Sequence, residues 1–326
     1  MNSIALTNRD LKNSTTVRAE ILTDIIDATA LPEMSKRGFL TRAMLLRLPF
    51  FKRAERAADL FCTPTPGTRA RALSVAAPEF VRQTVNAGGI SYQAYVLGDP
   101  TKQPYILCAH GWSSFGLRFA PWARAAQAAG FALVSFDHSA HGRSSGHLAT
   151  FPSFVAGINA MRGAYRAPAA AVGHSFGAAA LAMAAAENSL HCPLVLVAPP
   201  ADLMVAIRFF ARRVKLPWHF VDAIASVISR RVGRDVRSFA AKTATVNVHQ
   251  RVLVIHDVAD NEVSWSAGAQ YAMLAPNARL LSTTGLGHHR VLNDDSTITA
   301  ALAHILGEPI GEKLLVANTD LQDALA

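Results

Sequence analysis

The sequence predicts an α/β fold, a mostly parallel eight-stranded sheet with helices on both faces, and three observations carry that prediction. From about residue 80 onward, short apolar runs alternate with helix-length segments. Several of those runs, YILCAH, FALVSF, PLVLVA and RVLVIH, are continuously apolar rather than alternating, as parallel strands covered on both faces must be. The chain of 326 residues is 51% apolar and 17% charged, too hydrophobic for disorder and long enough to close a large core.

The elements follow in order. Within residues 1–36, Val17, Ile21, Ile25 and Ala28 recur at helical spacing and predict a short amphipathic helix ended near Leu31-Pro32. A second helical stretch, 38–61, sets Arg42, Arg47, Lys52, Arg53 and Arg56 among large apolar residues and is interrupted at Pro49. The segment TPTPGTRAR, 63–71, has the composition of a linker, so residues 1–71 form an N-terminal helical extension and linker. Strands are predicted near 80–86, 90–97, 104–109, 131–136, 169–173, 193–198, 251–256 and 278–283. Helices fit near 118–129, 152–165, 176–187, 265–274 and 296–306. The gap between the strands ending at 198 and starting at 251 is too long for an ordinary crossover. Residues 201–248 are therefore expected as a helical cap inserted into a core of 72–200 and 249–310, with 311–326 as a C-terminal tail.

Composition excludes several function classes. Three widely spaced cysteines, Cys62, Cys108 and Cys192, are poor material for a disulfide framework or a thiolate metal site and fit a reducing compartment. The first sixteen residues lack the basic and apolar regions of a secretory signal, and no run reaches the roughly 18 apolar residues of a spanning helix. A cytoplasmic protein is the expectation. The net charge of +9 is uneven: residues 1–80 and 201–250 hold much of the excess, and 251–326 are net acidic. Neither basic segment interleaves aromatics with basic residues or spaces zinc ligands, so no nucleic-acid partner is expected. The basic cap and the helix 38–56 together suit peripheral contact with an anionic membrane, and a cap arginine facing the pocket would favour an acidic substrate. Oligomeric state is not encoded in any of these patterns.

The chemistry concentrates in a few places. Gly173-His174-Ser175-Phe176-Gly177 follows an apolar run and precedes the alanine-rich AAALAMAAAENSL, so Ser175 falls where a strand turns sharply into a helix. A serine hydroxyl needs a base to take its proton and a carboxylate to orient that base. Asp260 lies just past the strand 251–256, with Asp257 as a rival; His288 lies in the glycine-flanked TTGLGHHRVL, with His289 beside it. His110-Gly111-Trp112 closes the strand YILCA, and the Trp112 and Phe176 N–H groups are candidates for an oxyanion hole. His110, Gly111 and His174 are expected at the substrate surface. In the cap, Phe209, Phe210, Trp218 and Phe220 are expected to form an apolar wall. Asp137, His138, His141 and His147 lack the spacing of a metallohydrolase, so no metal is expected, and Cys108 is expected as a small core residue.

From about Phe80 to Leu306, with HGW, DHSAHGRS, GHSFG, HDVADNEV and GLGH in order, the chain resembles the α/β-hydrolases. Within them it is similar to bacterial esterase- and lipase-like serine hydrolases with a small helical cap. The resemblance implies hydrolysis of a carboxylic ester or thioester through an acyl-serine, with the triad Ser175, Asp260 and His288 and no cofactor. It places the imidazole at 288 rather than 289, and a glycine is usual where Asp257 stands. A serine at the elbow separates the chain from the variants of this fold that attack through a carboxylate. Acyl transfer, carbon–carbon bond hydrolysis, and ligand capture without catalysis are the alternative uses of the same residues. One loop departs from the pattern, with Ser139-Ala140 where relatives usually carry Pro-Gly.

Overall fold

The computed structural model describes residues 49–314, and the helix expected within 1–36 and the start of the 38–61 stretch lie outside the described residues. Eight strands form one sheet: β1 Val81–Ala87, β2 Ile90–Leu97, β3 Tyr105–Ala109, β4 Ala132–Phe136, β5 Ala170–His174, β6 Leu194–Val197, β7 Val252–Asp257 and β8 Ala278–Thr283. Their order is β1-β2-β4-β3-β5-β6-β7-β8, antiparallel at β1/β2 and β2/β4 and parallel elsewhere. The chain runs outward from β3 to β4 and then returns to place β5 on the other side of β3. That reversal opens a crevice at the carboxyl ends of β3 and β5, the place where open α/β sheets bind ligands.

The helices are α1 Phe50–Phe61, α2 Thr68–Ser74, α3 Ala123–Ala128, α4 Phe151–Ala164, α5 Phe176–Ala186, α6 Leu203–Arg213, α7 His219–Val232, α8 Trp265–Leu274 and α9 Asp295–Leu306, besides single turns and 3-10 segments. The central strands explain their unbroken apolar runs. In β3, Tyr105, Leu107 and Ala109 pack into one core while Ile106 and Cys108 pack into the other; in β7, Val252 and Val254 oppose Leu253 and Ile255. Both faces are therefore covered. Cys108 is fully buried, and burial holds its thiol well above the ordinary range.

Between β6 and β7 the chain builds α6, α7 and a short turn at Ala241–Ala244. Asp202 caps α6, its carboxylate accepting from the Met204 N–H at 2.7 Å. Helix α1 lies along α7, where Arg231 pairs with Asp59 at 2.8 Å and the Arg53 guanidinium sits 5.7 Å over the Phe220 ring. The stretch 63–71, expected as a linker, instead lies against the core. Thr65 N–H donates to Ser113 Oγ at 2.8 Å, and the Arg69 guanidinium donates to the Ser144 and Gly146 carbonyls. Its second half is the start of α2. No helix among the described residues is long and apolar enough to cross a membrane.

Candidate active site

Ser175 is the single residue between β5 and α5, and its backbone is held at φ 52°, ψ −123°. A left-handed φ outside glycine costs on the order of 1–2 kcal/mol, so the surroundings must hold it in place. They do so by hydrogen bonding: Ser175 N–H donates to the Val197 carbonyl at 2.8 Å, and the Ser175 carbonyl accepts from Ala178 and Ala179. The flanking glycines are needed for close passage. A Cβ at Gly173 would stand 2.5 Å from Ala178 Cα, and one at Gly177 would stand 2.4 Å from the Ala109 and His110 carbonyl oxygens. The turn therefore presents the serine side chain at the sheet edge.

Two further strand ends bring their residues to that edge. His288, in the turn after β8, accepts from Ser175 Oγ at its Nε2 over 3.0 Å. Its Nδ1–H donates to Asp260 Oδ2 at 2.7 Å. That bond fixes the tautomer, leaving Nε2 free to take a proton. Asp260, in the loop after β7, accepts at Oδ1 from the Glu262 and Val263 N–H groups at 2.8 and 2.9 Å. Burial by itself pushes the Asp260 carboxyl up, but hydrogen bonds from His256 and His288 outweigh it and hold the group ionised well below the usual carboxylate range.

The rivals are occupied elsewhere. Asp257 accepts from Thr283 Oγ1 at 2.8 Å, the Leu286 N–H at 2.9 Å and the Ala259 N–H at 3.0 Å, bracing the loop that carries His288. His289 points outward and pairs with Glu262 at 2.9 Å. Among the described residues no group of three or more His, Cys, Asp or Glu is placed to hold a metal ion.

Around the loop after β3, Gly111 passes close to the serine: a Cβ there would come 2.9 Å from Ser175 Cβ. Phe176 opens α5, so its N–H has no carbonyl one turn earlier to bond. The Ser139-Ala140 departure leaves the neighbouring loop turned, because Ala140 adopts φ 63° and its N–H donates to the Ser145 carbonyl at 2.8 Å.

Two expected substrate contacts are corrected. His110 is fully buried, its Nδ1–H donating to the Gly111 carbonyl at 2.7 Å and its Nε2 accepting from the His138 N–H at 3.0 Å. His174 is buried behind the serine, and its Nε2–H donates to the His288 carbonyl at 2.8 Å. Both rings are buried and hydrogen-bonded to backbone.

Burial also holds the imidazoles of His110 and His138 well below their ordinary range, His141 at about 4 and His174 at about 3. In the unfolded chain these rings take up protons near pH 6.5, so falling pH favours unfolding until the folded values are reached. His141 alone accounts for up to about 3 kcal/mol between pH 6.5 and 4. The urea midpoint is expected to fall steeply over that window and to be flat above pH 7. A midpoint unchanged between pH 7 and 4.5 would contradict this burial.

The apolar wall is also corrected. Trp218 is 80% exposed at the start of α7 and Phe209 is 44% exposed, whereas Phe220 is buried in the core. Helix α6 turns Leu203, Met204, Ile207 and Ala211 inward, which leaves Phe209 on the outer face. Phe176 of the elbow lies edge-on to Phe154, Phe151 and Trp112 at 4.9, 5.2 and 5.8 Å; Trp112 in turn stacks 6.4 Å from Phe61, which is edge-on to Phe210 at 5.5 Å. Phe61, from α1, has no counterpart in the sequence expectations; its position at the apolar end of the 38–61 stretch was the available signal. Several cap arginines meet carboxylates at the surface: Arg208 with Asp202, Arg234 with Glu187, and Arg237 with Asp222.

With this geometry in hand, similarity to known proteins places the fold. The family model described as serine aminopeptidase, S33, matches residues 100–255. No curated protein matches the sequence. Among solved structures, alpha/beta hydrolase domain-containing protein 10 from mouse is 18% identical, with a TM-score of 0.55 over 76% of this chain and 100% of that one. A thioesterase domain from the curacin biosynthetic pathway is 19% identical, with a TM-score of 0.51 over 70% of this chain and 99% of its own. Est1E from Butyrivibrio proteoclasticus with bound ferulic acid is 18% identical, with a TM-score of 0.51 over 68% and 96%. Sheet order, the elbow after β5 and these likenesses agree: the chain has the α/β-hydrolase fold.

Proposed function

We propose that the chain is a serine hydrolase that cleaves a carboxylic ester or thioester through an acyl-Ser175 intermediate. One observation carries the reading: Ser175 Oγ, the His288 ring and the Asp260 carboxylate stand in a single hydrogen-bonded line, at 3.0 and 2.7 Å. His288 Nε2 takes the Ser175 proton as Oγ attacks the carbonyl carbon. The Trp112 and Phe176 N–H groups face the developing oxyanion, and Asp260 stabilises the imidazolium. The bond to the leaving oxygen or sulfur breaks as His288 returns its proton to it. Water, deprotonated by His288, then attacks the acyl carbon, releases the acid and restores Ser175. Residues 201–248 act as the cap over this edge.

The partly exposed aromatics Phe61, Trp112, Phe176 and Phe210 favour an uncharged, apolar acyl group over an acidic one. The test is covalent labelling with a fluorophosphonate, followed by p-nitrophenyl esters from acetate to palmitate. Labelling is expected at Ser175 and lost in Ser175→Ala, and kcat/KM is expected to rise from acetate to a medium acyl chain by about tenfold. Label retained in Ser175→Ala overturns the mechanism; a flat ester series overturns only the acyl preference.

A further inference from the structure

We propose that His256 is a positioning residue for the catalytic aspartate, a fourth member of the hydrogen-bonded line that begins at Ser175. This rests on the triad reading above and extends it by one side chain. His256 sits near the end of β7, fully buried, beside the same Asp260 carboxylate oxygen that His288 meets. Its Nε2 lies 2.9 Å from the Val263 carbonyl and 3.3 Å from Asp260 Oδ2. Both neighbours are acceptors only, so Nε2 carries the proton and donates to both.

This arrangement ties two things together. Asp260 Oδ2 meets both His288, at 2.7 Å, and His256, at 3.3 Å, while Oδ1 receives the Glu262 and Val263 N–H groups. Val263 is thus gripped twice, its N–H by the carboxylate and its carbonyl by His256. The imidazole locks the carboxylate and the turn that cradles it in one orientation, with Oδ2 aimed at His288. The remaining ring nitrogen, Nδ1, is buried without a hydrogen-bond partner among the described residues. A Cβ at Gly268 in α8 would stand 2.4 Å from it, so the helix admits the ring only because residue 268 has no side chain. An apolar side chain would fill this space without leaving Nδ1 unsatisfied. Retaining an imidazole here is explained by what its other nitrogen does.

The experiment compares His256→Leu, which keeps bulk and removes the donor, with His256→Gln, whose amide can again donate toward Oδ2. Rates are normalised to sites titrated by a fluorophosphonate, and thermal melts verify folding. In His256→Leu, kcat is expected to fall by about tenfold or more with KM within about twofold, since His256 does not touch substrate. His256→Gln is expected to recover most of the loss. The acid limb of the kcat/KM profile is expected to move to higher pH in His256→Leu. With one donor gone, Asp260 holds the protonated His288 more strongly. The other titratable groups around this pair, Glu262, His289, His174, Arg118 and Asp257, are unchanged between the variants. Wild-type kcat and an unmoved acid limb in His256→Leu overturn the proposal, as does an equal loss in His256→Gln. If wild-type protein is not labelled at Ser175, it is the triad reading that fails, and this outcome is visible before any His256 variant is made.

Discussion

Ser175→Ala is expected to lower kcat by about a million-fold while the protein stays folded, the scale seen when a serine nucleophile is removed and only binding and oxyanion stabilisation remain. The serine side chain contributes little to the core. Among the described residues its Oγ hydrogen-bonds to the His288 ring alone, and the turn is held by backbone bonds to Val197, Ala178 and Ala179 that alanine retains. Stability should therefore move by less than about 1 kcal/mol. His288→Ala is expected to cost about as much in kcat, and the double variant no more than either single one. Nucleophile and base act as a unit, and half of it does nothing further. Steady-state kinetics on one p-nitrophenyl ester decide this. A Ser175→Ala protein retaining a tenth of wild-type kcat would remove the nucleophile from Ser175, and independent, multiplying losses would mean that the two residues do not share a proton.

The parts of this site that were legible in the sequence are those fixed by strand ends. Ser175, Asp260 and His288 each follow a separate strand of a parallel sheet, and parallel strands deliver their carboxyl ends to one edge whatever the helices do. The strand positions themselves are marked by apolar runs that both cores require. What was not legible depends on rotation and on backbone partners. Phe209 and Phe210 are neighbours in sequence, yet about 100° apart on α6, and the buried stripe of Leu203, Met204, Ile207 and Ala211 leaves Phe209 outside while Phe210 meets Phe61. His110 and His174 have the right residue type and location for a substrate contact. Their carbonyl partners at Gly111 and His288, which turn them into braces, come from local geometry that a residue string does not display. The 63–71 stretch has turn chemistry that serves a free linker and a docked strap equally well. Ser113 and the 144–146 carbonyls, distant in sequence, make the difference.

The choice between the two aspartates gives the sharpest remaining contrast. Asp260→Asn is expected to lower kcat about ten-thousand-fold near neutral pH. The cause is the tautomer. An amide at 260 can offer N–H to His288 Nδ1, which moves the ring proton to Nε2, the atom 3.0 Å from Ser175 Oγ that must accept a proton for attack to begin. The ring would then sit in place but face the serine with the wrong end of its chemistry. Asp257→Asn alters a carboxylate that braces Thr283, Leu286 and Ala259 and does not touch the His288 ring. Its cost should appear as lost stability of about 1–3 kcal/mol, with kcat per titrated site within about tenfold of wild type. Thermal melts and site-normalised kinetics on the two variants separate these effects. If Asp257→Asn proved the silent catalyst and Asp260→Asn merely the less stable protein, the hydrogen bond at 2.7 Å would not be the one that orients the base in solution, and the catalytic line would have to be redrawn through Asp257.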